Sequence, residues 1–227
     1  MATDPVSKIF VTLEKQCQLC EHVNEAPVKL CAKCGANAAG RAFGAIVRGM
    51  LRQFDPKQAS APLVSMGLRL ARNETTLLEA FGKCLPPPTS TFHELSNPAT
   101  LQRVVELHGI DEQSIDLLYS PPWLCEFLTD VDQVIASAGR VLRSRGVAML
   151  AYSNGRKPIE GDAAPTRTRK LDPVEYKLPA GIEIWSVQVG REWIFSSIRK
   201  AGLTPFWVEV IDSADSTKFE YFLGQKP

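Results

Sequence analysis

Long apolar runs are missing from this chain: no stretch approaches the roughly 20 residues that cross a bilayer as a helix. A secretory leader is missing too, because Met1 to Lys15 carries Asp4 and no apolar h-region. Neither a helical membrane anchor nor export is therefore expected. The expected location is the cytoplasm, with the nucleus as the other reduced compartment. Net charge is nearly absent, since 26 Lys and Arg stand against 25 Asp and Glu to leave +1 at pH 7, so nothing global draws the chain to nucleic acid or to a membrane. Histidine is scarce; His93 and His108 read as satisfied or exposed side chains rather than as bases, and His22 as a surface residue beside a cysteine cluster. No internal repeat is present. What is there, 44% hydrophobic and 22% charged over 227 residues, is the composition of a soluble globule with room for one substantial core and a small appendage.

Cysteine carries the most specific pattern. Four of the six stand as two Cys-x-x-Cys pairs, Cys17 with Cys20 and Cys31 with Cys34. Each pair can turn two thiolates onto one ion, and two pairs complete the tetrahedral four-sulfur shell that Zn²⁺ prefers. Gly35 after Cys34 suits a knuckle that must turn without a Cβ clash. Two disulfides, or one redox pair, are the competing readings, and a reducing compartment favours the metal. A closed four-sulfur shell has no position for water, so this Zn²⁺ is expected to hold structure and to do no chemistry. Cys84 and Cys125 stand alone and read as buried small hydrophobes.

Residues 1–40 therefore read as a zinc knuckle with a short lead-in, and 41–60 as a linking helix. In GRAFGAIVRGMLRQF, Phe43, Ile46, Val47, Met50, Leu51 and Phe54 share one helical face, while Arg41, Arg48 and Arg52 lie elsewhere and read as solvated. From Ala61 onward short apolar runs alternate with helical periods, which predicts an α/β sheet with crossover helices over 61–227. APLVSMGL, STFHEL, SIDLLYS and RGVAMLAYS are the expected strands, and ETTLLEAFGKCL, NPATLQRVVELHG and a segment opening at Thr129 the helices between them. Residues 154–181, rich in Gly, Pro and charge, read as a long loop whose Arg156, Lys157, Arg167, Arg169 and Lys170 make it locally basic. The chain then closes with helix EWIFSSIRKAG, strand PFWVEVID, a tight turn from Ser213 to Ser216 and strand KFEYFLGQ.

Ile115-Asp116-Leu117-Leu118, Arg140 to Gly146, the strand Val147 to Ala151 and the later Arg199 to Leu203 together resemble the second half of class I S-adenosylmethionine-dependent methyltransferases. CAKCGANAAGR, Cys31 to Arg41, resembles the N-terminal ribbon of bacterial methyltransferase-like proteins. The resemblance implies a reduced class I methyltransferase-like, Rossmann-like sheet over 61–227, with S-adenosylmethionine as cofactor. It assigns the cofactor to Gly67, in the stretch SMGLRLARNE after the first strand, and to Glu94, at the end of the second. It also implies that Ser120-Pro121-Pro122-Trp123 matches the [DNS]-P-P-[YFW] loop of methyltransferases acting on amino groups. There the polar residue and the first proline carbonyl accept hydrogen bonds from the target amine, and the aromatic ring stacks on it. The alternative for this loop is that Pro121-Pro122 only turns the chain and Trp123 plugs the core.

The departures are equally specific. The cofactor loop of that family is glycine-rich, whereas SMGLRLARNE holds Gly67 alone, and between Leu95 and Ser114 there is room for only one helix. Two function classes follow. One is an S-adenosylmethionine-dependent methyltransferase with an unidentified acceptor. The other is a catalytically inactive module of the same fold that binds a protein or RNA partner.

Overall fold

Strands buried along most of their length build the centre of the molecule, and a computed structural model describes it for residues 6–18, 22–36, 38–51, 63–65, 111–120, 130–152, 157–172 and 184–227. Eight strands are present among them: β1 (Ser7–Leu13), β2 (Leu63–Ser65), β3 (Ile115–Ser120), β4 (Leu142–Tyr152), β5 (Thr166–Leu171), β6 (Ile184–Gln188), β7 (Thr204–Asp212) and β8 (Lys218–Gln225). Helices α1 (Ala38–Leu51), α2 (Val131–Val141) and α3 (Arg191–Lys200) accompany them. Six strands form one sheet in the order β1-β7-β8-β4-β3-β2, and β5 and β6 form a separate ribbon. In the sheet β2, β3 and β4 run parallel, β8 is antiparallel to both β4 and β7, and β1 is parallel to β7.

The burial of each strand follows from its place. β4 is central and covered on both faces, so Val147 to Tyr152 are all buried and the run is continuously apolar. β8 alternates instead: Phe219, Tyr221 and Leu223 join a core shared with α1, while Phe222 joins a second core shared with α2 and α3. On α2, Val131, Val134, Ile135, Ala138 and Val141 form the buried stripe. Asp132 in its first turn and Arg140 in its last oppose the ends of the helix dipole. Helix α2 meets the end of α3 at Gly139, where an added Cβ would lie 2.5 Å from the Ala201 carbonyl oxygen. That approach admits no side chain.

Several expectations change on contact with the structure. The lead-in of the cysteine region is a strand, β1, that extends the main sheet from Ser7↔Phe206 to Leu13↔Asp212. The expected loop 154–181 contains β5, whose Thr166 and Thr168 favour extended backbone and whose Leu171 is buried. Gly and Pro around 155–165 masked that strand in the composition. Arg41, expected on a solvated face, is 1% exposed and pairs with the fully buried Asp212, Nη2 to Oδ2, at 2.5 Å. Local periodicity assigns a lone arginine to solvent because it cannot register a partner 171 positions away. The expected segments 74–85, 90–95 and 97–109 lie outside the described residues.

Asp212 also accepts the Ala214 N–H at 3.0 Å and so forms the turn that reverses β7 into β8. Removing one partner of a buried ion pair leaves the other charge without compensation, so Arg41→Met is expected to cost about 3–5 kcal/mol in urea unfolding. Arg41→Met with Asp212→Asn, which keeps the acceptor for Ala214 and removes the charge, should recover most of that loss; equal losses in the two proteins would disprove the account.

Candidate functional sites

The cysteine cluster is built by two turns of one design. The amide of Cys17 donates to the His22 carbonyl at 2.8 Å, and the amide of Cys31 donates to the Ala36 carbonyl at 2.9 Å. Each bond closes the same span around a Cys-x-x-Cys. In the second turn the Gly35 amide also donates to the Cys31 carbonyl at 2.8 Å, with Gly35 at φ +70°, the left-handed region where a side chain is strained. The two turns are tied by Asn24, a buried side chain whose Nδ2 donates to the Lys15 carbonyl at 2.9 Å and whose Oδ1 accepts the Ala32 N–H at 3.0 Å.

This frame brings together the sulfurs of Cys17, Cys31 and Cys34, all within 4.8 Å of one another. Cys17 Sγ and Cys34 Sγ are 3.8 Å apart. That is far beyond a disulfide bond of about 2.05 Å. It equals the edge, about 3.8 Å, of a tetrahedron with metal–sulfur bonds of about 2.3 Å. Cys17 and Cys31 are buried and Cys34 is half-buried. This three-sulfur donor set fits a soft divalent ion. Cys20, the fourth expected ligand, lies outside the described residues, and His22 is not part of the cluster.

The cluster does not stand apart from the sheet. Cys17 and Cys31 pack in the same buried group as Ala42, Phe43 and Ile46 of α1, Val208 and Val210 of β7, and Tyr221 of β8. Burial raises the Tyr221 phenol far above its ordinary range. Beyond the core, the Ser213 amide and hydroxyl both donate to the Leu13 carbonyl, at 3.1 and 2.5 Å, and Lys29 reaches the exposed Asp215 at 3.9 Å. Hydrogen bonds from Thr217 hold the Asp215 carboxyl below the usual carboxylate range.

A second locus is the carboxyl edge of the parallel strands, where open α/β sheets take their ligands. Ser65 of β2 pairs with Tyr119, and Ser120 of β3 pairs with Leu150 of β4. The ends of β2 and β3 are thus neighbours at one edge. Gly67 follows β2 by two positions in the sequence, and Ser120 closes β3. Pro121, Pro122, Trp123, Gly67 and Glu94 lie outside the described residues, so the backbone of Ser120 is what the structure gives of the expected transfer site.

The sequence reading missed the charged group at this edge. Tyr152, last in β4, pairs with Glu220 of β8. Glu220 is 1% exposed and takes a two-point contact from Arg191 at the start of α3, Nε to Oε2 at 3.1 Å and Nη2 to Oε1 at 2.9 Å, with Lys157 at 3.4 Å. Arg191 also lies 4.9 Å from the Trp207 ring, which stacks on Phe222. The one available signal was an acid inside the apolar run Phe219 to Leu223. An acid there requires a cation, and Arg191 opens the next helix upstream.

No protein-family model matches the chain, and no curated protein matches it. Solved structures do. A protein assigned as an S-adenosylmethionine-dependent methyltransferase from Listeria monocytogenes is 9% identical, with 79% of this chain and 97% of that chain covered at a TM-score of 0.52. What it shares with this chain is the fold, that of a class I methyltransferase. The 1,6-didemethyltoxoflavin N1-methyltransferase of Burkholderia thailandensis is 16% identical, covering 83% of this chain and 78% of that one at a TM-score of 0.49. A chain from the Haloferax volcanii complex of the Trm112 methyltransferase activator with a methyltransferase is 13% identical, covering 83% and 96% at 0.47. Among the described residues, no helix is long and apolar enough to cross a membrane.

The double role of Asn24 gives a test of the cysteine frame. Asn24→Ala removes two hydrogen bonds, to the Lys15 carbonyl and from the Ala32 N–H, and at about 0.5–1.5 kcal/mol each is expected to cost about 1–3 kcal/mol, read as a lower urea midpoint at unchanged m-value. An unchanged midpoint would show that the two turns hold without their tie.

Proposed function

We propose that this chain is an S-adenosylmethionine-dependent methyltransferase acting on an amino group, with a structural Zn²⁺ at its N-terminal cysteines. In this reading residues 1–40 hold the metal, 41–60 join it to the rest, and 61–227 carry the transfer site. The observation that carries the reading is the adjacency of the β2 and β3 carboxyl ends within a class I methyltransferase fold. It supports the reading because, in the sequence, Gly67 follows β2 and Pro121-Pro122-Trp123 follow β3.

S-adenosylmethionine supplies an activated methyl group when bound, and the protein's share of the work is orientation. Gly67 would let the ligand lie against the backbone, and Glu94 would accept from the ribose hydroxyls. The Ser120 side chain and the Pro121 carbonyl would accept from the acceptor amine, Pro122 would stiffen the loop, and Trp123 would stack on the acceptor. Cys17, Cys20, Cys31 and Cys34 would complete the Zn²⁺ shell. A second reading, the inactive module serving a protein or RNA partner, is favoured by the single glycine in SMGLRLARNE.

Calorimetric titration with S-adenosylmethionine and S-adenosylhomocysteine separates the two. Micromolar binding that Gly67→Val and Glu94→Ala each weaken at least tenfold is the expected result; a folded chain silent at millimolar ligand would establish the inactive module. Ser120→Ala and Trp123→Ala should lower turnover at least tenfold with cofactor affinity unchanged. If Trp123 is instead part of the core, its truncation will appear as a stability loss of about 3–5 kcal/mol.

The metal has its own measurement. The purified chain should carry one Zn²⁺, and Cys31→Ser should lose it together with protease resistance of the N-terminal region, since structural zinc contributes on the order of 10 kcal/mol to folding. A metal-free protein of the same stability would contradict the assignment.

A further inference from the structure

Strand β1 closes the six-stranded sheet, and among the described residues its outer edge pairs with nothing. Unpaired edges recruit other strands, and proteins ordinarily blunt them with outward lysines, prolines or bulges. β1 has none of these devices. It pairs with β7 without a register break, and its seven residues, Ser7-Lys8-Ile9-Phe10-Val11-Thr12-Leu13, contain no proline and one charge. That charge, though exposed, leans back over β7 and away from the open edge, since Lys8 Nζ is 3.4 Å from Glu209 Oε2 and 3.8 Å from the centre of the Trp207 ring. The edge is also apolar: Ile9 is 45% exposed and Phe10 65%, on opposite faces of the strand. Of the five large hydrophobic side chains exposed among the described residues, the four that precede Ile159 are Ile9, Phe10, Val23 and Leu30. Exposure is thus concentrated on β1 and the turns beside it.

We infer that β1 is a dimer interface, its occupant the β1 of a second copy of this chain, paired antiparallel about a two-fold axis through Phe10. The strand is self-complementary in that register. Phe10 meets its own symmetry mate, Ile9 meets Val11, Lys8 meets Thr12, and Ser7 meets Leu13. Aromatic and β-branched pairs of this kind are the favourable cross-strand neighbours, and no like charges face each other. Sliding the axis by one residue toward Ile9 costs the aromatic pair and one pair of strand partners; sliding it by two sets Lys8 against Lys8. The single charge thus rules out the register centred on Lys8, and the aromatic pair favours the one centred on Phe10. The two six-stranded sheets would join into one, with the cysteine turns of both copies on the same face and the carboxyl edges outside the contact.

Sedimentation equilibrium on the full chain tests the assignment. The interface is one strand wide, at the low end of specific contacts, so a dissociation constant in the micromolar range is expected. Thr12 is exposed in the isolated chain, which lets its two substitutions be read without loss of folding. Thr12→Glu places a carboxylate opposite Lys8 of the other copy and should tighten the dimer. Thr12→Lys places like charges there and should weaken it. Each effect is expected at about threefold to thirtyfold, because the pair occurs twice across the axis. Phe10→Asp should abolish the dimer with the melting temperature of the monomer retained. A chain monomeric throughout the micromolar range overturns the inference, and if its β1 amides are then protected from hydrogen exchange, the edge is covered by the chain itself. A dimer indifferent to both Thr12 substitutions overturns it too, since the contact then lies elsewhere.

Discussion

The pairing of Arg41 with Asp212 is the constraint on which the architecture depends. It joins the first residues of α1 to the last residue of β7, at 1% and 0% exposure, and so fixes how the N-terminal helix crosses the sheet. A guanidinium in that position can be tolerated only with a carboxylate against it, because an isolated buried charge costs several kcal/mol. The carboxylate is in turn held by the turn it makes with Ala214. Around the pair lie Leu13 at the end of β1, the cysteine turns and the Phe43 and Ile46 side chains of α1, all in one buried group with β4, β7 and β8. Moving α1 therefore moves the cysteine frame and the edge strand with it.

The opposite face obeys a related rule with different materials. There the aromatic layer of Tyr152, Phe195, Trp207 and Phe222 packs in edge-on, tilted and stacked pairs under α2 and α3. At its border sits Glu220, satisfied by Arg191 and Lys157. Each face of the sheet thus contains one buried acid near the carboxyl edge, Asp212 on one and Glu220 on the other, and each acid secures the first residues of a helix or the helix-facing core beneath it. The acids do not meet: they lie on different faces, separated by the thickness of the sheet.

Much of the C-terminal half was legible because its signals are local. Short apolar runs on either side of a tight turn marked β7 and β8, a mostly apolar run marked β4, and the spacing of Val131 to Val141 marked α2. The cysteine spacing likewise brought Cys17, Cys31 and Cys34 to one place. What stayed hidden depends on partners distant in sequence. β1 carries Ile9, Phe10 and Val11 in succession, without clean alternation, because an edge strand with one thin side needs none. Arg41 looked solvated for want of Asp212, and Glu220 looked misplaced for want of Arg191. The carboxyl edge was legible as topology through β2 and β3, whereas the residues expected to do chemistry there fall outside the described part of the chain.

The parallel contact of β1 with β7 also sets a timetable. Residues 7–13 leave the ribosome about 200 positions ahead of their partners at 206–212. At about 5–20 residues per second, the strand, the cysteine turns and the apolar side of α1 wait roughly 10–40 seconds for the surface that covers them. A metal captured by the cysteines during that interval would order the turns from within while no sheet yet exists to order them from below. Cys17 and Cys31 are the residues common to the cysteine cluster and to the buried core.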